Sequence, residues 1–244
     1  MWLAPIIRTS INMRYTNSPE LLAKFPTLTT GLVVIKGLDN QPCAQPDDLL
    51  AQAQAQVAAE FEPATLSQHP HISSWRSAYS AFGVKPSKYN CACELLLRRV
   101  LKDGALPRIN KLVDLCNCIS LKYVLPVAAY DLTGITGDLT VTLAQGKERF
   151  LPLNTDQWEE AEPGEVIYKD QEKALSRRWN WRQCDQAKAT PATRDALLTL
   201  EGVNHIGPDV VVQATTELAD LVERFCSHPP RRFILTNDNP QAEF

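Results

Sequence analysis

The sequence predicts an α+β fold. Helical periodicity is concentrated in residues 47–124, and alternating apolar runs separated by Gly and Pro follow from residue 139. One amphipathic stretch then spans about Asp209 to Phe225. Helices early and strands late argue against repeating βαβ units.

The elements follow in order. Gly31-Leu-Val-Val-Ile-Lys-Gly37 is a short β-branched run between glycines and reads as a buried strand. From Asp47 a helix runs through Leu49, Leu50 and the Ala/Gln repeat to Phe61, with Pro46 and Asp47 as start signals and alanine supplying propensity. A second helix is expected over Ser73 to Phe82, ended by Gly83 and the Pro86 turn. A third runs from Cys91 to Lys102, with an apolar face of Leu95, Leu96 and Val100 and a stop at Gly104. A fourth follows Pro107, its apolar residues Leu112, Val113, Cys116, Ile119 and Val124 near helical spacing. Strands are expected at Leu139–Leu143, Arg149–Leu153, Val166–Tyr168 and Leu197–Leu200. After the C-terminal helix, Phe233–Leu235 is expected as a last edge strand, and residues 237–244 as a flexible tail.

With 44% hydrophobic and 22% charged residues, a 244-residue chain can bury a sizeable core. No apolar run approaches the roughly 18 residues of a membrane span. The apolar N-terminus, Met-Trp-Leu-Ala-Pro-Ile-Ile-Arg, lacks a basic region before it and a small-residue cleavage site, so no signal peptide is expected. Seven cysteines, an odd number, read as reduced thiols of a cytoplasmic protein. The net charge of −3 hides a basic block: residues 71–111 hold eight Lys or Arg (Arg76, Lys85, Lys88, Arg98, Arg99, Lys102, Arg108, Lys111) against Glu94 and Asp103. Such a block is either a polyanion contact or a solvated helix surface.

Few residues outside that block suggest chemistry. Cys91-Ala-Cys93 and Cys116-Asn-Cys118 lack the two-to-four-residue spacing of structural zinc pairs. Both fall in expected helices, where positions i and i+2 point about 200° apart, so they read as small buried thiols and no metal is expected. The histidines (His69, His71, His205, His228) form no metalloprotease or triad pattern. The segment Arg177-Arg178-Trp179-Asn180-Trp181-Arg182 is unusual. Read as a strand, it places Trp179 and Trp181 on one face and Arg178, Asn180 and Arg182 on the other. It is either a half-buried strand or an apolar pocket wall beside a phosphate-facing or carboxylate-facing row.

Taken together, His69-Pro-His71-Ile72, Trp75-Arg76, Tyr79, Phe82-Gly83, Pro86, Lys88, Glu94 and Leu97-Arg98-Arg99-Val100 resemble the opening of the B3/B4 domain family, the editing domain of bacterial phenylalanyl-tRNA synthetase. Leu106-Pro107, Asn110-Lys-Leu-Val-Asp114, Asn117, Leu125-Pro126, Tyr130-Asp131 and Gly137 are similar to its next stretch. Gly164-Glu165-Val166-Ile167-Tyr168-Lys-Asp170 and Leu197-Leu-Thr-Leu-Glu201 complete the match. The resemblance implies a B3/B4-like domain over residues 66–236, with a largely antiparallel β core and residues 1–65 packed on it as a strand and helix. It also implies a pocket for an aminoacyl-adenosine end, since the synthetase domain hydrolyses wrongly formed tyrosyl-tRNA.

By that resemblance Asn117 matches a pocket asparagine, with Cys116 in place of a threonine beside it. Glu201 falls where the synthetase has the glutamate that recognises the tyrosine hydroxyl; here it could instead bind a substrate ammonium. These two, Asn117 and Glu201, are the candidates for orienting substrate or water. Ala128 stands where the synthetase has a pocket histidine, and Trp179 and Trp181 stand where it has a Gly/Ala-rich lining. A substrate smaller than tyrosine, or differently shaped, is the expectation. Arg182 joins the pocket, and Arg76, Lys88, Arg98, Arg99 and Lys102 are candidates for RNA contact. The expected function is a free-standing domain hydrolysing mischarged aminoacyl-tRNA in trans, without cofactor, with tRNA as partner and neither DNA nor membrane. The alternatives are a non-catalytic tRNA- or RNA-binding module, and an amino-acid or small-ligand binder. Amino-acid activation is not expected of a chain this short.

Overall fold

The computed structural model describes residues 12–41 and 45–244. The chain opens with β1 (Arg14–Asn17), α1 (Pro19–Lys24), β2 (Thr29–Ile35) and α2 (Gln45–Glu60). Three helices follow: α3 (Pro70–Ala81), α4 (Ala92–Asp103) and α5 (Lys111–Tyr123). The β-rich half holds β3 (Val127–Asp131), β4 (Leu139–Leu143), β5 (Arg149–Phe150), β6 (Glu159–Glu160), β7 (Val166–Lys169), β8 (Ala174–Arg177), β9 (Arg182–Gln183) and β10 (Ala196–Gly202). The last elements are α6 (Pro208–Cys226), β11 (Arg231–Leu235) and β12 (Gln241–Glu243). The expected α+β class holds. No helix among the described residues is long and apolar enough to cross a membrane.

Two sheets carry the architecture. One is four-stranded and wholly antiparallel, in the order β11-β2-β10-β3. The other is six-stranded, in the order β12-β1-β4-β7-β8-β9, with β1 and β4 its one parallel pair. All seven residues of β2 and all seven of β10 are buried. That is what a continuous apolar run predicts for strands covered on both faces. Helix α6 packs across β2, β10 and β11, and α5 lies against α6 and β3. Strands β1 and β2, early in the chain, run inside the two large sheets.

Helix boundaries follow local chemistry. Asn110 caps α5 by accepting from the Val113 amide at 3.1 Å, and the left-handed Gly104 (φ +80°) ends α4. Asn40 is fully buried, and its amide donates to Asn110 Oδ1 (3.1 Å) and to the Thr190 carbonyl (2.7 Å). Its Oδ1 accepts from the Leu112 amide (2.8 Å), tying the loop after β2 to the start of α5. Helix α3 starts three residues before the expected Ser73, because Pro70 occupies the first helical position and the His69 ring accepts from the His71 amide.

Several expectations give way. The strand expected over Arg149–Leu153 stops at Phe150, and Pro152, which has no amide hydrogen, makes only an isolated bridge to Cys184. Residues 177–182 are not one strand. The chain turns there, with Arg178 (φ +46°) and Trp179 (φ +66°) left-handed and β8 paired back onto β9. Trp179 and Trp181 therefore do not share a strand face. The expected flexible tail contains β12, which pairs antiparallel with β1, and Phe244 is buried. Cys91 precedes α4 as its cap instead of lying in it, so its Sγ stands 3.5 Å from Cys93 Sγ; the 200° separation applies only within the helix. The six described cysteines are buried. The N-terminal stretch 1–11, Cys43 and the side chains of Pro46 and Asp47 lie outside the described residues.

Candidate functional site

Strand β10 alternates, so Thr199 and Glu201 point to one side while Leu198 and Leu200 point to the other. On the Thr199 side the edge of the four-stranded sheet faces β7, β8 and β9, and a small cavity of about 30 Å³ lies between them. Edge strand β3 contributes Val127, Ala128 and Tyr130, and the other sheet contributes Tyr168, Ser176, Arg182 and Gln183. Asn180, from the turn between β8 and β9, and Ala92, at the start of α4, complete the wall.

Glu201 is the acidic group of this chamber and is 2% exposed. Trp179 Nε1 donates to its Oε1 at 2.7 Å, and Asn180 Nδ2 reaches Oε2 at 3.4 Å. The Asn180 amide is oriented from behind, since its Oδ1 accepts from the Tyr79 hydroxyl (3.0 Å) and the Ala92 amide (3.4 Å). Burial pushes the Glu201 carboxyl above its ordinary value, against the opposing hydrogen bonds from Tyr168, Trp179 and Asn180. Tyr168 stacks on Tyr130 with centroids 5.7 Å apart and meets the edge of Tyr15 at 6.1 Å. Its hydroxyl is fully buried beside Glu201.

Trp179 is wholly buried against Phe25 (4.8 Å), Trp75 (5.0 Å) and Phe82 (6.2 Å) and supports Glu201 from outside the cavity wall. The left-handed turn that carries it is held by Ser176 Oγ, which donates to the Trp179 carbonyl at 2.5 Å. It is held also by ion pairs: Arg177 to Glu165 (2.7 Å) and Glu159 (2.8 Å), and Arg178 to Glu162 (2.7 Å). The expected row is thus broken up, although Arg178 and Asn180 each meet a carboxylate. Arg178 is buried in an ion pair, Asn180 faces Glu201, and Arg182 alone of the three is exposed. Trp181 is half-buried outside the wall, edge-on to Tyr89 at 4.8 Å, with the Arg182 guanidinium 4.3 Å above its ring.

Of the residues singled out in the sequence, Glu201, Ala128 and Arg182 line the chamber. Asn117 and Cys116 sit on α5 and do not. Cys116 is buried, and burial raises its thiol well above the ordinary value. Sequence reasoning did not single out Thr199, Tyr168, Ser176, Asn180 and Gln183 as wall residues. Thr199 carries a signal, standing two residues before Glu201 on the same strand face; Asn180 carries none, because its place depends on a turn without glycine.

The basic block divides in two. Glu94 is fully buried, and Arg76 (2.7 Å) and Arg98 (2.7 Å) both pair with it. That contact raises the Arg76 guanidinium above its ordinary value. Lys88, Arg99 and Lys102 are exposed, and Arg99 meets only the exposed Asp103 at 3.9 Å. A wider groove of about 340 Å³ lies apart from the chamber, between α2, α3, α5 and α6. His69 and His71 line it with rings 5.2 Å apart, and His71 Nδ1 is 3.0 Å from the Tyr123 carbonyl. Burial, then the neighbouring His71, lowers the His69 imidazole. Among the described residues no group of three or more His, Cys, Asp or Glu is placed to hold a metal.

The sequence profile of the B3/4 domain matches residues 74–227, more than half of the chain. The chain belongs to the B3/4 domain family. The whole chamber wall falls within the matched residues. The chain is similar to the phenylalanine–tRNA ligase beta subunit of Chromobacterium violaceum, 35% identical over 80 residues that cover 33% of this chain and 10% of that subunit. It is similar also to the beta subunit of Mycoplasmoides gallisepticum, 32% identical over 77 residues, 32% of this chain and 10% of that one. The chain thus matches a small part of the length of these relatives. Among solved structures, an N-terminal fragment of the phenylalanyl-tRNA synthetase beta subunit from Pyrococcus horikoshii aligns with 89% of this chain and 49% of its own, at a TM-score of 0.43 and 11% identity.

Proposed function

We propose that this B3/4 domain captures the aminoacylated 3′ end of a tRNA and hydrolyses the ester bond, acting in trans. The observation that carries the reading is the chamber itself: a buried carboxyl group fixed by Trp179 and Asn180, with Arg182 at the rim, within the family-matched residues. A preorganised polar cleft of this kind suits recognition of a small polar group in a dry surrounding. Membership of a domain family shared with tRNA ligase subunits supports tRNA as the partner.

The chemistry asks little of the protein. An aminoacyl ester is already activated, and the reaction needs a water held near its carbonyl carbon. The water oxygen bonds to that carbon, the bond to the ribose oxygen breaks, and a water proton ends on the ribose. The neighbouring ribose hydroxyl of the substrate assists the proton transfer, because the wall offers no histidine: Ala128 presents only a methyl group. Glu201 and Asn180 orient the substrate. Arg182, exposed at the rim, meets phosphate or the terminal carbonyl. Helix α4 runs from the wall residue Ala92 to the exposed Arg99 and Lys102, a rise of about 15 Å that suits a phosphate track leading away from the chamber.

A second reading, tRNA binding without hydrolysis, is favoured by Ala128 standing where the resemblance places a pocket histidine. Incubation of the 244-residue protein with a panel of mischarged tRNAs decides between them. Release of amino acid by the wild type, lost in Glu201→Ala, supports hydrolysis. Salt-sensitive tRNA binding with no release at any ester supports the second reading, and binding of free amino acids alone would favour a small-ligand protein.

A further inference from the structure

Lys88, Tyr89, Arg178, Trp181 and Arg182 form a ladder of rings and cations that ends at the chamber mouth. Lys88 Nζ lies 5.1 Å from the Tyr89 ring centre, and the Arg178 guanidinium lies 4.0 Å from the same ring and 4.8 Å from Trp181. Tyr89 meets Trp181 edge-on at 4.8 Å, and the Arg182 guanidinium lies over Trp181 at 4.3 Å. The inner rungs are anchored, because Arg178 is buried and paired with Glu162 at 2.7 Å. Arg182 is the outer rung. It is exposed, meets no carboxylate among the described residues, and lines both the chamber and a neighbouring hollow of about 390 Å³. That hollow falls within the range of small-ligand pockets, about 300–1,000 Å³, whereas the chamber of about 30 Å³ has no room for a ring.

The rest of the hollow suits a flat, partly polar ligand. Pro152 and the exposed Leu153 give it an apolar side. Glu159 uses Oε2 on Arg177 at 2.8 Å and keeps Oε1 as an acceptor. The Gln183 amide nitrogen donates to the carbonyls of Ala129 (2.7 Å) and Ala187 (3.3 Å), which leaves its oxygen as a second acceptor.

From this arrangement we propose that the hollow binds an unpaired nucleobase bearing an exocyclic amine, held with one face on the Arg182 guanidinium and the other on Leu153. A guanidinium plane stacks on bases as aromatic rings do, and Trp181 holds this one in place before the ligand arrives. Stacking uses the face of the group, so its in-plane N–H donors still reach a phosphate or carbonyl. The two acceptors, Glu159 and Gln183, receive the amine hydrogens of adenine or cytosine. Uracil has a carbonyl at that position and would set one acceptor against another. The exposed cations Lys88 and Arg182 suit the phosphates that precede the base. That the base belongs to the end of an RNA chain rests on the tRNA reading above; the site itself stands on the ladder and the hollow. Trp181 is then a positioning residue, and Arg182 is the residue that touches the base.

The test uses the full chain and a hairpin RNA with a short single-stranded 3′ tail, made in three forms. The last nucleotide is adenosine, uridine or an abasic residue, so the phosphates stay the same and only the base changes. Binding is expected to be at least about fivefold tighter for the adenosine form than for the abasic form, the factor that one stacked base supplies. The uridine form is expected between them. Arg182→Lys keeps the charge and removes the plane, so it should bring the adenosine-to-abasic ratio close to one. Leu153→Asn, at an exposed position, should lower the same ratio with an unchanged melting temperature. AMP, titrated alongside, should bind more weakly than the adenosine-ended RNA; equal affinity would assign the site to a free nucleotide and overturn the RNA source. Equal binding of the adenosine and abasic forms by the wild type overturns the proposal even if mischarged tRNA is cleaved. A ratio kept in both variants overturns the placement of the base in this hollow. Base-dependent binding with no ester cleaved keeps the site and removes the hydrolysis.

Discussion

Burying a carboxyl group costs free energy unless hydrogen bonds meet it, and at Glu201 the indole N–H of Trp179 is the shortest such bond at 2.7 Å. Trp179→Phe keeps most of the ring packing against Phe25, Trp75 and Phe82 but removes that donor. It should destabilise the fold by about 1–3 kcal/mol, read from urea unfolding. Glu201 also predicts a pH trend. Its folded-state value is raised above the reference of 4.5, so the folded state holds a proton that the unfolded state has released. Stability therefore falls as pH rises from about 4.5 through the raised value. The tyrosines that interact electrostatically with it, Tyr15, Tyr79, Tyr130 and Tyr168, are all raised above the ordinary tyrosine value chiefly by burial, so none titrates in that window. Glu201→Gln should gain melting temperature relative to wild type across that window and hold a constant difference above it. A pH-independent difference would show that the carboxyl is not protonated by folding. The position was legible in the sequence through the family resemblance, which matches it to a pocket glutamate. Its partner Asn180 was not, because bulky Arg178 and Trp179 adopt positive φ without a glycine to announce the turn.

At the scale of elements, the helices were legible because their ends carry local signals. Gly104 acts within one turn of chain and no distant residue is needed to interpret it, whereas Asn110, the cap of α5, was not read as a start signal. The short strands were less so. The strands β5, β6 and β9 have two residues each, too few for alternation to register. The strand β12 is a polar-flanked triplet whose order comes from pairing with β1, at the opposite end of the chain. Gly31 in β2 shows how close packing enters at this scale. A Cβ there would collide with Thr215 Oγ1 on α6, whose hydroxyl donates to the Val211 carbonyl at 2.6 Å. Gly31→Ala should therefore push α6 from the sheet and cost about 1–3 kcal/mol in urea unfolding. Thr215→Ala in the same chain removes the colliding atom and should recover most of the stability. A double variant no more stable than Gly31→Ala would place the strain elsewhere.

For the molecule as a whole, charge in the block 71–111 looks uniform in sequence, but the fold divides it between structure and surface. Arg76 and Arg98 neutralise the fully buried Glu94, so removing either leaves that carboxylate short of a partner. Lys88, Arg99 and Lys102 remain exposed, the last two on the helix whose first turn reaches the chamber. The two groups should therefore behave differently. Arg76→Ala is expected to lower the melting temperature and to affect tRNA binding only through stability. Replacing Lys88, Arg99 and Lys102 with Glu should leave the melting temperature nearly unchanged, since exposed charges contribute little to folding. The same triple variant should weaken tRNA binding at low salt. Each phosphate that is no longer neutralised reduces the slope of log affinity against log salt by about 0.7–0.9, so the triple variant should flatten it by about two to three. Binding titrations between about 50 and 200 mM salt measure that slope directly. An unchanged slope would remove α4 as the phosphate track and leave Arg182 as the cation beside the chamber that could still meet the acceptor end.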